Sequence, residues 1–436
     1  MQPLKKYASV NLSNVDKLTK ENEKSVKLCN YTDVYKNWAI TKDLENSFMN
    51  ASANEKEIAK FSLHKGQVAI TKDSETKDDI GISTYIADNF DNVILGYHCA
   101  LISPNLEKLD GQYLNLLLRT PYAQKYFENY AGGSGQRYTL PVDVIEEFSV
   151  NLPSIKTQKI IGTFFSNIDR KISINSKIST ELESLAKTIY DYWFLQFEFP
   201  NEEGKPYRSS GGKMVWSEEL KREVPEGWNV AKLGNLISFN RGISYNSNSI
   251  EGSGVPMINL ASFKPDSTYN AEGIKTYSGE YSKEKILCPY HLVMCNTQQT
   301  DIDPEKDIVG KSFLIPDIFN GEIVFTHHVT KIDVSEPELK YYLNSLFNTT
   351  FFHKYIAGYA SGTSIVGLDF TGIVEYRTEI PDHDVLVRYA SLVHILEMKK
   401  SFIIKENMEL AALRDFLLPL LMNRQVTFKD EKECPA

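Results

Sequence analysis

The chain has 436 residues, 42% hydrophobic and 24% charged, a length and balance that suit several packed cores. Its five cysteines (Cys29, Cys99, Cys288, Cys295, Cys434) are odd in number and contain no C-x-x-C pair, which argues against a disulfide framework and a zinc site. The formal net charge of −9 argues against a surface uniformly dressed for nucleic acid, and without a membrane-length apolar run or signal-peptide core a soluble, cytoplasmic protein is expected.

In chain order, the first 150 residues carry 17 basic and 20 acidic side chains and read as an α/β globule. "GQVAIT" (66–71) and "VILGYHCALI" (93–102) are β-branched or aromatic runs between turn signals, hence strands. "DGQYLNLLLRTPYAQKYFENYA" has apolar residues at helical spacing and leads into glycines, so it is a helix or helix pair. A polar loop, "GGSGQRYT" (132–139), and a short strand, "FSVNLP", close this part.

From Ile155 to about Trp193 the pattern changes in kind. Ile161, Phe165, Ile168, Ile172, Asn175, Ser179, Leu182, Ala186 and Ile189 follow steps of four and three, the rhythm of a coiled-coil seam. At 1.5 Å per residue this predicts a helix of roughly 57 Å, with Asn175 as a polar register mark on the seam. Glycines, prolines and serines mark a linker over 198–228, whose Trp216 and Trp228 suggest order.

Beyond the linker the first passage returns. Aligning residue i with i+229 gives 10 identities in 22 positions between 113–134 and 342–363, where composition alone would give about one or two. The same offset pairs Val26 and Asn30 with Val255 and Asn259, and Asp78, Gly81 and Ser83 with Asp307, Gly310 and Ser312. "LVMCNT" (292–297) and "GEIVFTHHVTKIDV" (321–334) read as strands, with His327 and His328 as strand residues rather than ligands. The second long helix, from Val385 to Leu421, is expected to use Leu392, Leu396, Ile403, Leu410, Leu413, Leu417 and Leu420 as its seam and to run antiparallel to the first.

Two segments carry a family resemblance. "GGKMVWSEELKREVPEGWNVAKLGNLISF" and "QKIIGTFFSNIDRKISINSKISTELESLAKTIYDYWF" resemble the central segment and first spacer helix of the DNA-specificity subunits of type I restriction-modification systems, and "LRDFLLPLLMNRQV" resembles the end of their second. The resemblance covers nearly the whole chain. It implies an α+β protein with two pseudo-repeated α/β target-recognition domains separated by two long antiparallel coiled-coil helices. The expected division is target-recognition domain 1 at 1–153, first spacer helix at 154–197, ordered linker at 198–228, target-recognition domain 2 at 229–381, second spacer helix at 382–423 and tail at 424–436.

Two similar readers on a rod suit a bipartite target on duplex DNA, whose groove repeats about every 34 Å. In the first loop the small residues Ser134 and Gly135 would admit a phosphate, while Gln136 and Arg137 could bond an adenine and a guanine edge, flanked by Lys72 and Tyr138. The second loop keeps Gly362, Thr363 and Ser364 but has Ile365 and Val366 where Gln136 and Arg137 would stand. Phosphate contact is therefore expected at both loops and base reading mainly at the first. Thr297, Gln298 and Gln299, with Arg241, Tyr245 and Asn246, complete the candidates in the second half.

An enzymatic reading finds little support. "GKS" at 310–312 ends like a phosphate-binding P-loop, but Glu305 stands where that loop needs glycine. "GGSG" follows a helix and lacks the third glycine of a dinucleotide site, and no "[DNS]-P-P-[YFW]" tetrapeptide is present. The reading is a targeting subunit with no catalytic residues, cofactor or metal of its own. The resemblance implies two methyltransferase subunits and motor-nuclease subunits as partners, and no membrane. The alternatives are a two-module protein scaffold without DNA contact, or a nuclease or methyltransferase on an unfamiliar fold.

Overall fold

A computed structural model describes residues 1–134, 137–250, 252–299 and 306–428, with only the backbone of Ser134, Ser247 and Gln299. The protein is α+β and divides into two compact units, Met1–Ser173 with the described residues from Glu409 onward, and Ile174–Met408.

The first unit is built on β1 (Ala8–Leu12), β2 (Lys24–Cys29), β3 (Val68–Thr71), β4 (Asp73–Ser74), β5 (Ser83–Ile86), β6 (Val93–Leu95) and β7 (Cys99–Pro104). Its main sheet has the order β1–β7–β3–β5 with Ala39–Ile40 at the edge, and a second sheet pairs β2 parallel to β6. The inner strands β3 and β5 of the main sheet are buried on both faces, which is why β3 reads as an apolar run, while edge strand β1 is half-exposed. Helices α1 (Gly111–Leu118) and α2 (Pro121–Tyr130) follow, broken where Thr120 caps α2 and Pro121 takes its first position.

The expected polar loop after α2 is instead a hairpin, because its residues find sheet partners far away in sequence. Strands β8 (Gly132–Ser134) and β9 (Arg137–Thr139) pair with each other, and β9 also pairs with β4 in a three-stranded sheet, β8–β9–β4. Helix α3 (Ile155–Tyr190) starts in this unit.

The second unit repeats the plan, without a described counterpart of the Ala39–Ile40 edge strand. Its elements are β10 (Ile237–Arg241), β11 (Val255–Ile258), β12 (Leu292–Cys295), β13 (Thr297–Gln299), β14 (Ser312–Leu314), β15 (Ile323–Phe325), β16 (Val329–Val334), α4 (Leu339–Phe347), α5 (Thr350–Ala357), β17 (Ala360–Ser361), β18 (Ile365–Leu368) and α6 (His383–Met422). The order β10–β16–β12–β14 reproduces the main sheet, β11 runs parallel to β15, and β13–β18–β17 reproduces the three-stranded sheet. Small buried contacts repeat too. Ser83 Oγ donates to Asn115 Oδ1 at 2.8 Å, and Ser312 Oγ to Asn344 Oδ1 at 2.9 Å. Gly81 and Gly310 share φ +78°, where a Cβ would lie 2.6 Å from Phe127 and 2.9 Å from Ile356. Residues 198–228 join this unit through a hairpin, Met214–Ser217 with Arg222–Pro225, and through Trp228, which stacks on Phe199 at 5.2 Å; Trp216 is exposed.

Within each unit α3 and α6 lie antiparallel. In the first, Ile161, Phe165 and Ile168 share a core with Leu410, Leu417 and Leu421, and Arg414 Nη1 meets Asp169 Oδ1 at 3.1 Å. In the second, Asn175 donates to Glu406 at 2.6 Å and to Asn407 Oδ1 at 2.8 Å, while Lys400 bonds Glu183 and sits 2.8 Å from Glu397. The predicted α3 seam is buried or half-buried throughout. On α6, however, Leu392 and Leu413 are each 43% exposed and do not belong to the seam. The buried or half-buried line instead runs Tyr389, Val393, Leu396, Lys400, Ile403, Asn407, Leu410, Arg414, Leu417, Leu421. Three of these are polar and stand seven residues apart, so tracing leucines alone steps one position aside.

Candidate nucleic-acid interface

In the first unit the three-stranded sheet gathers charge. The main chain builds it: Leu140 N donates to Lys72 O at 2.7 Å and Lys72 N to His98 O at 2.8 Å, fixing the hairpin beside the turn that joins β6 to β7. Gly133 has φ +132°, and a Cβ there would stand 2.2 Å from Arg137 O, so only glycine closes the hairpin this tightly.

Asp73 is the hub. Its Oδ2 accepts from His98 Nδ1 at 2.7 Å and lies 3.3 Å from Lys72 Nζ and 3.7 Å from Arg137 Nη2. Arg137 also lies against the His98 ring, and Lys72 Nζ sits 4.5 Å over the Tyr97 ring. Burial pushes the Asp73 carboxyl up, but hydrogen bonds from His98 and Thr139 and the neighbouring Lys72 outweigh it and hold the group below its ordinary value. A depressed carboxylate stabilises the fold above its unfolded pKa and loses that contribution as pH falls through the folded one. The stability gap between the wild type and Asp73→Asn should therefore be full at pH 7 and close as pH falls below the ordinary 3.8, as thermal melts across pH 3–7 would read.

The structure brings together Lys72, Arg137 and Tyr138 from the expected set. Lys72 is nearly buried in its ion pair, and Arg137 is exposed. Gly135, Gln136 and the side chain of Ser134 lie outside the described residues. Asp73, Tyr97 and His98 were missed by sequence reading. The signal was an aromatic followed by histidine before a buried strand.

The second unit builds the same frame with neutral groups. Leu368 N donates to Asn296 O at 2.9 Å and Asn296 N to His328 O at 3.0 Å, so Asn296 and Thr297 stand where Lys72 and Asp73 stand. Gly362 has φ +144°, with a would-be Cβ 1.9 Å from Ile365 O. β18 pairs with Thr297 through Gly367, as β9 pairs with Asp73 through Thr139, so Ile365, 56% exposed, occupies the Arg137 position rather than Val366. One residue has been lost within the loop itself.

His327 and His328 lie in the turn between β15 and β16, not in a strand. Their rings are 3.8 Å apart, Tyr245 lies 6.0 Å from His327, and His328 Nδ1 is 2.6 Å from Thr297 Oγ1. The turn thus joins Tyr245 to Thr297. Gln298 lies next to Thr297 on β13, where its Oε1 accepts from Ile308 N at 2.7 Å; the Gln299 side chain lies outside the described residues. Arg241 ends β10 opposite Thr330, and Asn246 accepts from Ser249 Oγ at 2.9 Å in a local turn. Thr363 and Ser364 occupy the exposed loop between β17 and β18. Cys29, Cys99 and Cys295 are buried free thiols. Among the described residues no cluster of acidic, histidine or cysteine side chains could hold a metal, and no helix is long and apolar enough to cross a membrane.

Residues 5–184 match the profile of the type I restriction modification DNA specificity domain. The chain is 26% identical over 404 residues to the type I restriction enzyme MjaIX specificity subunit of Methanocaldococcus jannaschii, covering 88% of this chain and 85% of that one. It is 22% identical to the HindI specificity subunit of Haemophilus influenzae, covering 88% and 92%. A crystal structure of the type I restriction-modification S subunit from M. genitalium shares the fold, with a TM-score of 0.57 at 14% identity over 98% of this chain and 96% of that one.

Proposed function

Because this chain belongs to the DNA-specificity family of type I restriction-modification systems, we propose that it is the non-catalytic targeting subunit that reads duplex DNA through its two three-stranded sheets. The observation that carries this is one frame built twice with different side chains: Lys72, Asp73 and Arg137 in one unit, Asn296, Thr297 and Ile365 in the other. Identical frames present their groups alike, and unlike groups select unlike bases, so the target is bipartite and asymmetric with an unread interval.

Gly133 and Gly362, with Ser134, Gly135, Thr363 and Ser364, bring main chain close to phosphate. Gln136, Arg137 and Tyr138 read bases in the first half, with Lys72 behind them. Tyr245, Gln298 and Gln299 read the second, with Thr297 behind them and Arg241 and Asn246 at the flanks. The division into two target-recognition domains, two spacer helices, a linker and a tail belongs to the same reading. So do two methyltransferase subunits and the motor-nuclease subunits as partners, which supply the cationic surface that a chain of net charge −9 lacks.

The test is a gel shift on duplex DNA over a salt series, with and without the methyltransferase subunits, followed by methylome sequencing of cells expressing the set. A gapped asymmetric motif and salt-weakened binding are expected; an unchanged methylome with no shift sinks the reading. In the same assay Arg137→Ala should weaken binding about tenfold and relax one base position.

A further inference from the structure

His98 and His328 share a setting that the proposed function leaves unused. A fixed offset of 229 would match His98 with His327, but the main-chain bonds match it with His328: the carbonyl of each accepts from the residue just past the central strand, Lys72 N at 2.8 Å and Asn296 N at 3.0 Å. Each ring is then tethered through Nδ1 to the first side chain of an edge strand of its three-stranded sheet, β4 or β13: Asp73 Oδ2 at 2.7 Å and Thr297 Oγ1 at 2.6 Å. Each also packs against the aromatic ring just before it, Tyr97 at 4.3 Å and His327 at 3.8 Å. The surrounding sequences, "GYHCA" and "THHVT", share only the histidine at that place.

The first of these sites holds an unfavourable backbone. His98 has φ +73°, a left-handed conformation that non-glycine residues adopt at a cost and that concentrates at binding sites. Two buried polar atoms beside the second site, Asn296 Oδ1 and Thr326 Oγ1, have no hydrogen-bond partner among the described residues. Neither ring is buried. A carboxylate only accepts, so Nδ1 of the first ring donates to Asp73, and Arg137 Nη2 packs against the same ring, 3.1 Å from Nε2 and nearer still to Nδ1.

We infer that His98 and His328 are a matched pair of specificity-determining residues, one for each half of the DNA target, and that Asp73 and Thr297 are the positioning residues that hold them. This rests on the DNA-binding reading above. The first ring acts together with Arg137. The second acts with Tyr245 and His327, in a site without a described cation at the Arg137 position, so the two halves differ in how much of their recognition is ionic.

The test uses the full chain with its methyltransferase subunits and a randomised duplex library, scoring base preference separately in each half of the selected motif. Asparagine tolerates the left-handed backbone at 98, so His98→Asn and His328→Asn keep the turns. His98→Asn should lower preference about tenfold at one or two adjacent base pairs of one half and leave the other unchanged, and His328→Asn should do the converse. Thr297→Val should relax the same base pairs as His328→Asn, and Thr297→Ser should restore them. His383→Asn, on α6, should change neither half. Unaltered preferences in both histidine variants, even with lowered melting temperatures, would reduce the pair to turn braces and overturn the inference while leaving the DNA reading intact. A wild type that selects no sequence would overturn both.

Discussion

Replacing Lys400 with methionine should cost about 3–5 kcal/mol of stability, the largest single-site loss expected outside the apolar core. Lys400 is almost buried between Glu183 and Glu397, and Glu397 is itself buried. Burial alone pulls the ammonium down, but the two carboxylates outweigh it and raise its pKa above the ordinary 10.5. Without the cation, Glu397 keeps its desolvation penalty and loses its compensation. The variant's carboxyl should then protonate at a higher pH than in the wild type, so the deficit should be greatest at neutral pH and shrink as pH falls through that raised value. Urea melts at pH 5 and pH 8 would check this. Replacing all three residues by apolar ones of similar size should recover most of the loss, because the buried carboxylates go with the lysine. A Lys400→Met chain as stable as wild type would show that the ion pair is solvated and carries no weight.

Gly133→Val and Gly362→Val should each abolish recognition of one half of the DNA target without unfolding the chain. Both glycines have positive φ, and a side chain at either would run into the carbonyl across its own hairpin. Strain of about 3 kcal/mol falls on a short exposed hairpin, and that sum corresponds to an affinity loss on the order of a hundredfold. The measurement is the dissociation constant on the cognate duplex at fixed salt, paired with circular dichroism. Full-affinity binding by the valine variants would remove these hairpins from the interface.

How far the sequence spoke depended on the range of the interaction concerned. The α3 seam was legible because i to i+3 and i+4 packing is local and its apolar residues keep period. The α6 seam was half legible, since Lys400, Asn407 and Arg414 occupy it only by virtue of Glu183, Asn175 and Asp169, more than 200 positions away. The internal repeat was visible in the glycines and helix caps that both units need for backbone reasons. The candidate site was least legible. Residues 132–139 look like a polar loop until β4 pairs with them, and His98 and His328 look like strand fillers until the turn gives each a tether.

The frame of each three-stranded sheet is held by main-chain bonds, Leu140 N to Lys72 O and Leu368 N to Asn296 O, and each unit also carries a buried serine–asparagine pair. The main-chain bonds do not themselves require particular side chains at 72, 73, 137, 296, 297 or 365. Exposed Arg137 and Ile365 are therefore cheap to change, whereas Asp73 and Asn296 are buried and hydrogen-bonded. On the proposed reading, a point substitution at an exposed position of one sheet changes the address read by that half and leaves the main-chain frame of the other untouched.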